Sequence, residues 1–276
     1  MKIVFFGASK FVIPLIEMLN QNFELTLVVT TERNPLDTVP QYCERNNIPY
    51  VAIKSLDEAK DMLKEKNADL GVLAYFGLLL PQAILEIFPH GILNVHPSLL
   101  PKYRGATPVQ TALLNGEQQT GITIIKLDQQ MDHGPMLAQE KEDILESDTT
   151  EALHDRLFTK GANMLQDIIP QYIDNKRDLK TQNDEQATYT KKSLTKHDGF
   201  FDNDNPPQAS TLDRMIRAYY PWPATWTRLI INGKEKIIKF LPNKKLQVEG
   251  KRPMSTKDFI NGYPELKETI EKIVTR

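Results

Sequence analysis

Lys2-Ile3-Val4-Phe5-Phe6-Gly7-Ala8-Ser9-Lys10 starts the chain with an apolar run that stops at a glycine and a short polar turn. A run of this length bounded by such a turn reads as a buried strand, and apolar residues at helical spacing follow it over 12–20. The alternation continues with a strand at 25–30, helices at 39–46 and 56–66, and strands near 70–74 and 91–95. A helix at 108–114 is stopped by Asn115-Gly116, and strands near 121–127 and 136–140 precede a long helix at 149–175. That helix has Thr149 or Asp148 as N-cap and Glu151 in its first turn. Strands alternating with helices predict an α/β fold: a Rossmann-like, mainly parallel sheet with helices on both faces.

Residues 181–207 are polar and broken by Asn183-Asp184, Asp198-Gly199 and Pro206-Pro207, the composition of a linker. A helix near 211–218 comes next, then runs at 226–231 and 236–240 joined through Asn232-Gly233, a strong hairpin turn signal. Ser255 caps a short helix over 255–261. About three strand-like runs fit between Trp226 and Val248, so the C-terminal unit reads as small and β-rich. The expected division is a larger domain over 1–180, a linker over 181–208 and a small basic domain over 209–276.

A composition of 40% hydrophobic and 25% charged residues in 276 is that of a globular protein with room for two units. The longest apolar stretch, 70–80, falls short of the ~20 residues that span a bilayer, and no basic segment with an apolar signal core opens the chain. A cytoplasmic, monomeric protein that makes no use of a membrane is expected. The single cysteine, Cys43, rules out an internal disulfide, and no Cys or His cluster has the spacing of a metal site. Residues 209–276 hold 14 Lys/Arg against 7 Asp/Glu while the whole chain carries -2, so positive charge is gathered at one end. That end could face phosphates, or be a solvated surface.

The chemistry is concentrated in Asn94-Val95-His96-Pro97-Ser98-Leu99-Leu100-Pro101, followed by Arg104-Gly105-Ala106 and by Met131-Asp132-His133-Gly134-Pro135. Two apart on a strand, Asn94 and His96 project from the same face. Pro97 lacks an N–H for the ladder and ends the strand where they emerge, at a carboxyl edge of the kind where open α/β sheets bind ligands. An amide, an imidazole and a carboxylate are the groups needed to move an acyl group onto an amine. Donors stabilise the oxygen that gains charge, and an acid/base group moves the protons. Taken singly, Asn94 also fits a buried turn amide and His96 a hydrogen-bonded core histidine; His133 reads as structural.

These residues resemble the folate-dependent formyltransferases. The resemblance implies Asn94 and His96 as hydrogen-bond partners of the formyl oxygen, with Asp132 handling protons through water. It also implies 10-formyltetrahydrofolate as co-substrate, with no metal. Its pocket would be bordered by Phe76, Gly77, Leu78, Leu79 and Leu80, together with Leu93, Val95, Leu127, Asp128 and Met131. Gly7 and Ser9, in a loop whose N–H groups could hold a phosphate or the amine, would contact the acceptor with Ser98 and Arg104. Val4-Phe5-Phe6-Gly7, Ala187-Thr188-Tyr189-Thr190-Lys191-Lys192, Arg217-Ala218-Tyr219-Tyr220-Pro221-Trp222-Pro223 and the run from Leu246 to Met254 are similar to the branch that acts on methionyl-initiator tRNA. That tRNA and the folate are therefore the expected partners.

Two departures stand out. In that branch the loop after the second strand is long and basic, whereas Thr31-Glu32-Arg33-Asn34-Pro35-Leu36-Asp37 is short and not basic. Its C-terminal domain is a five-stranded barrel of the OB type, which here reads as truncated. An acceptor such as an amino sugar nucleotide or glycinamide ribonucleotide is the alternative within the chemistry. A nucleic-acid-binding protein without catalysis is the alternative outside it. The aromatic residues from Tyr219 to Trp222, with Trp226, fit either packing or stacking on nucleic acid.

Overall fold

A computed structural model describes residues 1–32 and 38–275. The short loop singled out above lies, from Arg33 to Asp37, outside the described residues. Contacts divide the chain into two compact units. The first contains 1–108, 119–143 and 154–190, and the second 109–118, 144–153 and 191–276.

The first unit is built on a seven-stranded sheet of β1 (Lys2–Phe6), β2 (Glu24–Thr31), β3 (Tyr50–Ile53), β4 (Leu70–Leu73), β5 (Ile92–His96), β6 (Gln119–Lys126) and β7 (Met136–Asp143), in the order β3-β2-β1-β4-β5-β6-β7. The strands from β3 to β5 are parallel. The pairs β5–β6 and β6–β7 are antiparallel, so the sheet is mainly parallel with an antiparallel edge.

Residue parity shows how both faces are covered. Val4, Phe6, Leu27, Val29 and Ile92 pack in one cluster with Ala59 and with Leu63 of α3 (Lys60–Glu65) and Ile84 of α4 (Gln82–Leu85). On the opposite face, Val95 lies against Gly161 of α6 (Thr150–Ile173), where an added Cβ would come within 2.7 Å of Val95 Cγ1. Strands buried on both faces favour apolar residues at successive positions, which is why Ile3 to Phe6 of β1 and Leu27 to Val29 of β2 read as continuous hydrophobic runs.

From β1 the chain moves outward through β2 and β3, then returns to place β4 on the other side of β1. A reversal of this kind at the carboxyl ends of β1 and β4 is the place where open α/β sheets hold ligands. The loops leaving these strands are tied by the Ala8 N–H donating to the Tyr75 carbonyl at 3.1 Å. Register then sets Leu73 of β4 beside Asn94 of β5.

The second unit contains an antiparallel sheet of β8 (Thr225–Ile231), β9 (Lys234–Leu241), β10 (Lys245–Val248) and the two-residue β11 (Met254–Ser255), in the order β11-β10-β9-β8. The β8–β9 turn holds Asn232 and Gly233 at φ 50° and 73°, the left-handed pair that an Asn-Gly hairpin turn requires. Leu229, Ile231, Ile238 and Phe240 form its core with Leu212 of α7 (Ala209–Tyr219), Phe259 of α8 (Thr256–Gly262) and Ile270 and Ile273 of α9 (Lys267–Thr275). Among the described residues these four strands form an open sheet, short of a closed barrel. No helix of the described residues is long and apolar enough to cross a membrane.

Candidate active site

Asn94 and His96 share the face of Ile92 at the carboxyl end of β5, and both are almost fully buried. The Asn94 Nδ2–H donates to Asp132 Oδ1 at 3.1 Å, and His96 Nδ1 lies 3.6 Å from the same oxygen. The other oxygen, Oδ2, accepts from the Gly105 N–H at 2.8 Å. Residues far apart in the chain thus close on one carboxylate.

The second imidazole nitrogen fixes how His96 can act. His96 Nε2 is 3.0 Å from the Tyr103 carbonyl, and a carbonyl only accepts, so Nε2 carries the proton. Nδ1 is therefore the nitrogen that faces Asp132. It accepts when the ring is neutral and donates only as imidazolium.

Asp132 is held in the left-handed region at φ 50°, which aspartate tolerates better than most residues. Two residues on, Gly134 is required sterically, because a Cβ there would sit 1.8 Å from the Lys126 carbonyl oxygen. On the facing loop Gly105 has φ 119°, and a Cβ would come within 2.6 Å of Thr190 Oγ1. Gly134 is thus needed for close approach of backbone, and Gly105 for its positive φ and the space that the Thr190 hydroxyl takes.

Ser98 is fully buried; its Oγ–H donates to the Lys102 carbonyl at 2.7 Å, and its own carbonyl accepts from Thr123 Oγ1 at 2.6 Å. Arg104 is also buried, with Nε and Nη2 donating to Gln182 Oε1 at 3.1 and 2.8 Å and Nη2 to Asp184 Oδ1 at 2.8 Å. Both side chains commit their polar groups to the protein and shape the loops around the carboxylate. The Arg104 hydrogen bond holds the exposed Asp184 carboxyl below its ordinary range. His133 Nδ1 pairs with Asp128 Oδ2 at 2.6 Å, and this hydrogen bond raises the imidazole above its ordinary value.

Phe76 is buried in the cluster with Phe6 and Phe88, and Leu78, Leu80 and Leu127 pack against the same cluster. A hydrogen bond of 3.1 Å from Gln129 to Gln82 ties their two segments together. Leu79 and Met131 are exposed, and Gly77 takes φ 76°. The Leu93 and Val95 side chains lie on the opposite face of β5 from Asn94, fully buried. Gly7 donates its N–H to the Val29 carbonyl at 3.0 Å, and Ser9 Oγ accepts from the Phe11 N–H at 3.4 Å. These two therefore shape the β1 loop. Beside it stands an aromatic group that sequence reading passes over: Phe11 stacks on His154 at 4.8 Å, and Tyr75 meets both. Among the described residues no group of three or more His, Cys, Asp or Glu could hold a metal.

The chain as a whole is similar to known proteins. Residues 1–169 match the family model described as formyl transferase. The chain is 38% identical over 238 residues to a methionyl-tRNA formyltransferase of Chloroflexus aggregans, covering 82% of this chain and 76% of that protein. It is 30% identical over 312 residues to one of Caldanaerobacter subterraneus, covering 99% and 100%. Among solved structures, an N-formyltransferase from Helicobacter canadensis in complex with folinic acid and dTDP-3-aminofucose has a TM-score of 0.64 at 18% identity, covering 90% of this chain and 95% of that one, a likeness of fold. The family model matched over residues 1–169 and identity at this level along most of the chain place it: the chain belongs to the methionyl-tRNA formyltransferase family of folate-dependent formyl transferases.

Proposed function

We propose that the protein transfers the formyl group of 10-formyltetrahydrofolate to the α-amino group of methionyl-initiator tRNA. The observation that carries the chemistry is the convergence of Asn94 and His96 on the Asp132 carboxylate. When the amine attacks the formyl carbon, the carbonyl oxygen gains negative charge. Asn94 spends one N–H on Asp132, and its second is the donor offered to that oxygen. His96, with Nε2 held by Tyr103, offers Nδ1–H in its charged form, and Asp132 is the counter-charge. A preorganised donor of this kind lowers the barrier by about 3 kcal/mol. The attacking nitrogen must then lose a proton to Asp132, directly or through a water, and N10 of the folate must gain one as the carbon–nitrogen bond breaks.

Two observations support the substrates. Leu78, Leu80 and Leu127, partly buried on one apolar cluster, suit a flat ring system. The match to a methionyl-tRNA formyltransferase over the whole length of both chains includes the basic second unit, which supports tRNA as acceptor. Incubation with labelled 10-formyltetrahydrofolate and methionyl-initiator tRNA, dTDP-amino sugar or glycinamide ribonucleotide in turn tests the reading. Label on the tRNA is expected; label on a small acceptor alone would overturn it.

A further inference from the structure

We infer that Gln182 is a positioning residue for this reaction, the link that holds Asp132 in its reactive place; the inference rests on the formyl-transfer reading of the same site. Gln182 lies in the stretch whose composition reads as a linker, yet it is buried. Its Nε2 donates to the Asp132 and Gly134 carbonyls, each at 2.8 Å. Its Oε1 accepts from Arg104 Nε and Nη2 at 3.1 and 2.8 Å. One amide therefore uses both donors and its acceptor to join the loop that presents the Gly105 N–H to the loop that carries Asp132.

Gln182 is the side chain that meets the Asp132 and Gly134 carbonyls, whereas the Arg104 loop has attachments of its own. The Arg104 loop is fastened independently by Arg104 N–H to the Thr188 carbonyl and Thr190 N–H to the Arg104 carbonyl, both 2.9 Å. Asp132 sits at positive φ, a conformation that persists only where the surroundings over-determine it. The Gln182 amide fixes the peptide planes following residues 132 and 134. Without those bonds the backbone can relax from the left-handed region, and the carboxylate moves away from Asn94, His96 and the Gly105 N–H. A misplacement of about 1 Å at a reacting group costs up to ~100-fold in rate.

Gln182→Glu separates this role from simple support of Arg104. A glutamate keeps the length and still accepts from the guanidinium, but it cannot donate to the two carbonyls. Gln182→Leu removes both halves. The readouts are kcat and KM for formyl transfer to methionyl-initiator tRNA, and hydrogen exchange of the Gly105 amide proton followed by NMR. The exchange needs no acceptor and reports whether the Asp132 carboxylate is in place. We expect Gln182→Glu to lower kcat at least ~10-fold, with both KM values within about twofold and Gly105 exchange accelerated by a similar factor. Wild-type kcat or unchanged Gly105 protection in Gln182→Glu overturns the positioning role. If the wild type transfers no formyl group to the tRNA, the proposed function fails, and the Gly105 exchange of the two variants still decides whether Gln182 holds Asp132. Should Gln182→Leu fail to fold, Gln182→Glu carries the test alone.

Discussion

The Tyr103 carbonyl takes the Nε2–H of His96 at 3.0 Å and leaves Nδ1 as the nitrogen that faces Asp132. This relationship separates two substitutions that are otherwise equivalent. The amide nitrogen of an asparagine at 96 falls where Nδ1 stands, and that of a glutamine where Nε2 stands. His96→Asn should retain a donor toward the reacting oxygen and lose the Tyr103 bond, whereas His96→Gln should do the reverse. We expect His96→Asn to keep at least ~10-fold more kcat than His96→Gln, within the range one oxyanion donor supplies. Steady-state kinetics on the two purified variants decide it, and equal or inverted rates would remove Nδ1 from the donor role.

Gly134 is the point where backbone meets backbone behind Asp132. Gly134→Ala must move either residue 134 or the Lys126 strand end, because a Cβ would stand 1.8 Å from the carbonyl oxygen. Overpacking of this kind costs about 1–3 kcal/mol or more, and it displaces the aspartate two residues away. Thermal unfolding should show a lower midpoint, and turnover should fall more than stability alone accounts for. A variant with wild-type melting and wild-type kcat would contradict the packing.

In the second unit, Lys191 binds Asp198, which also accepts from the Thr195 N–H and Oγ1 at 2.7 and 2.8 Å. The lysine, with the Thr195 bonds, lowers the Asp198 carboxyl from 3.8 to about 2. A carboxyl depressed in the folded state contributes stability that is fully present above its unfolded value and disappears as the pH falls through the folded one. Because Lys191 is well exposed, screening reduces the contribution to about 0.5–1 kcal/mol. Asp198→Asn should therefore be less stable at pH 7 by about this amount, with the gap to wild type narrowing from pH 4 toward pH 2. Denaturant unfolding at several pH values measures it; a gap that is constant down to pH 3 would exclude the ion pair as its source.

Much of this architecture is readable in residue order. Val4-Phe5-Phe6 and Leu27-Val28-Val29 are apolar at every position because both faces of the sheet are covered, and Asn232-Gly233 names its own turn. Tyr50–Ile53 escapes because an edge strand of four residues, mostly half-buried, lacks both a long apolar run and clean alternation. The direction of β6 and β7 escapes because local pattern does not distinguish parallel from antiparallel pairing. Helix α9 is masked by its charged residues, with Ile270 and Ile273 carrying its buried side. At the site, Asn94, His96 and Asp132 announce themselves through chemistry and spacing. Tyr103 acts through a backbone carbonyl, which leaves no trace in side-chain identity. Gln182 is one glutamine in a polar stretch, and its importance arises only when the chain folds back 50 residues to Asp132.

In the proposed reaction Asp132 is the proton acceptor at the point where the two donors, Asn94 and His96, meet. Asp132→Asn is nearly isosteric and removes the charge, so single-turnover transfer from saturating 10-formyltetrahydrofolate to methionyl-initiator tRNA, beside melting and binding controls, is the most direct measurement. A fall of at least ~100-fold, the usual contribution of a positioned acid/base group, with melting temperature and both substrate affinities close to wild type, is the predicted result. A transfer rate equal to wild type in Asp132→Asn would contradict it.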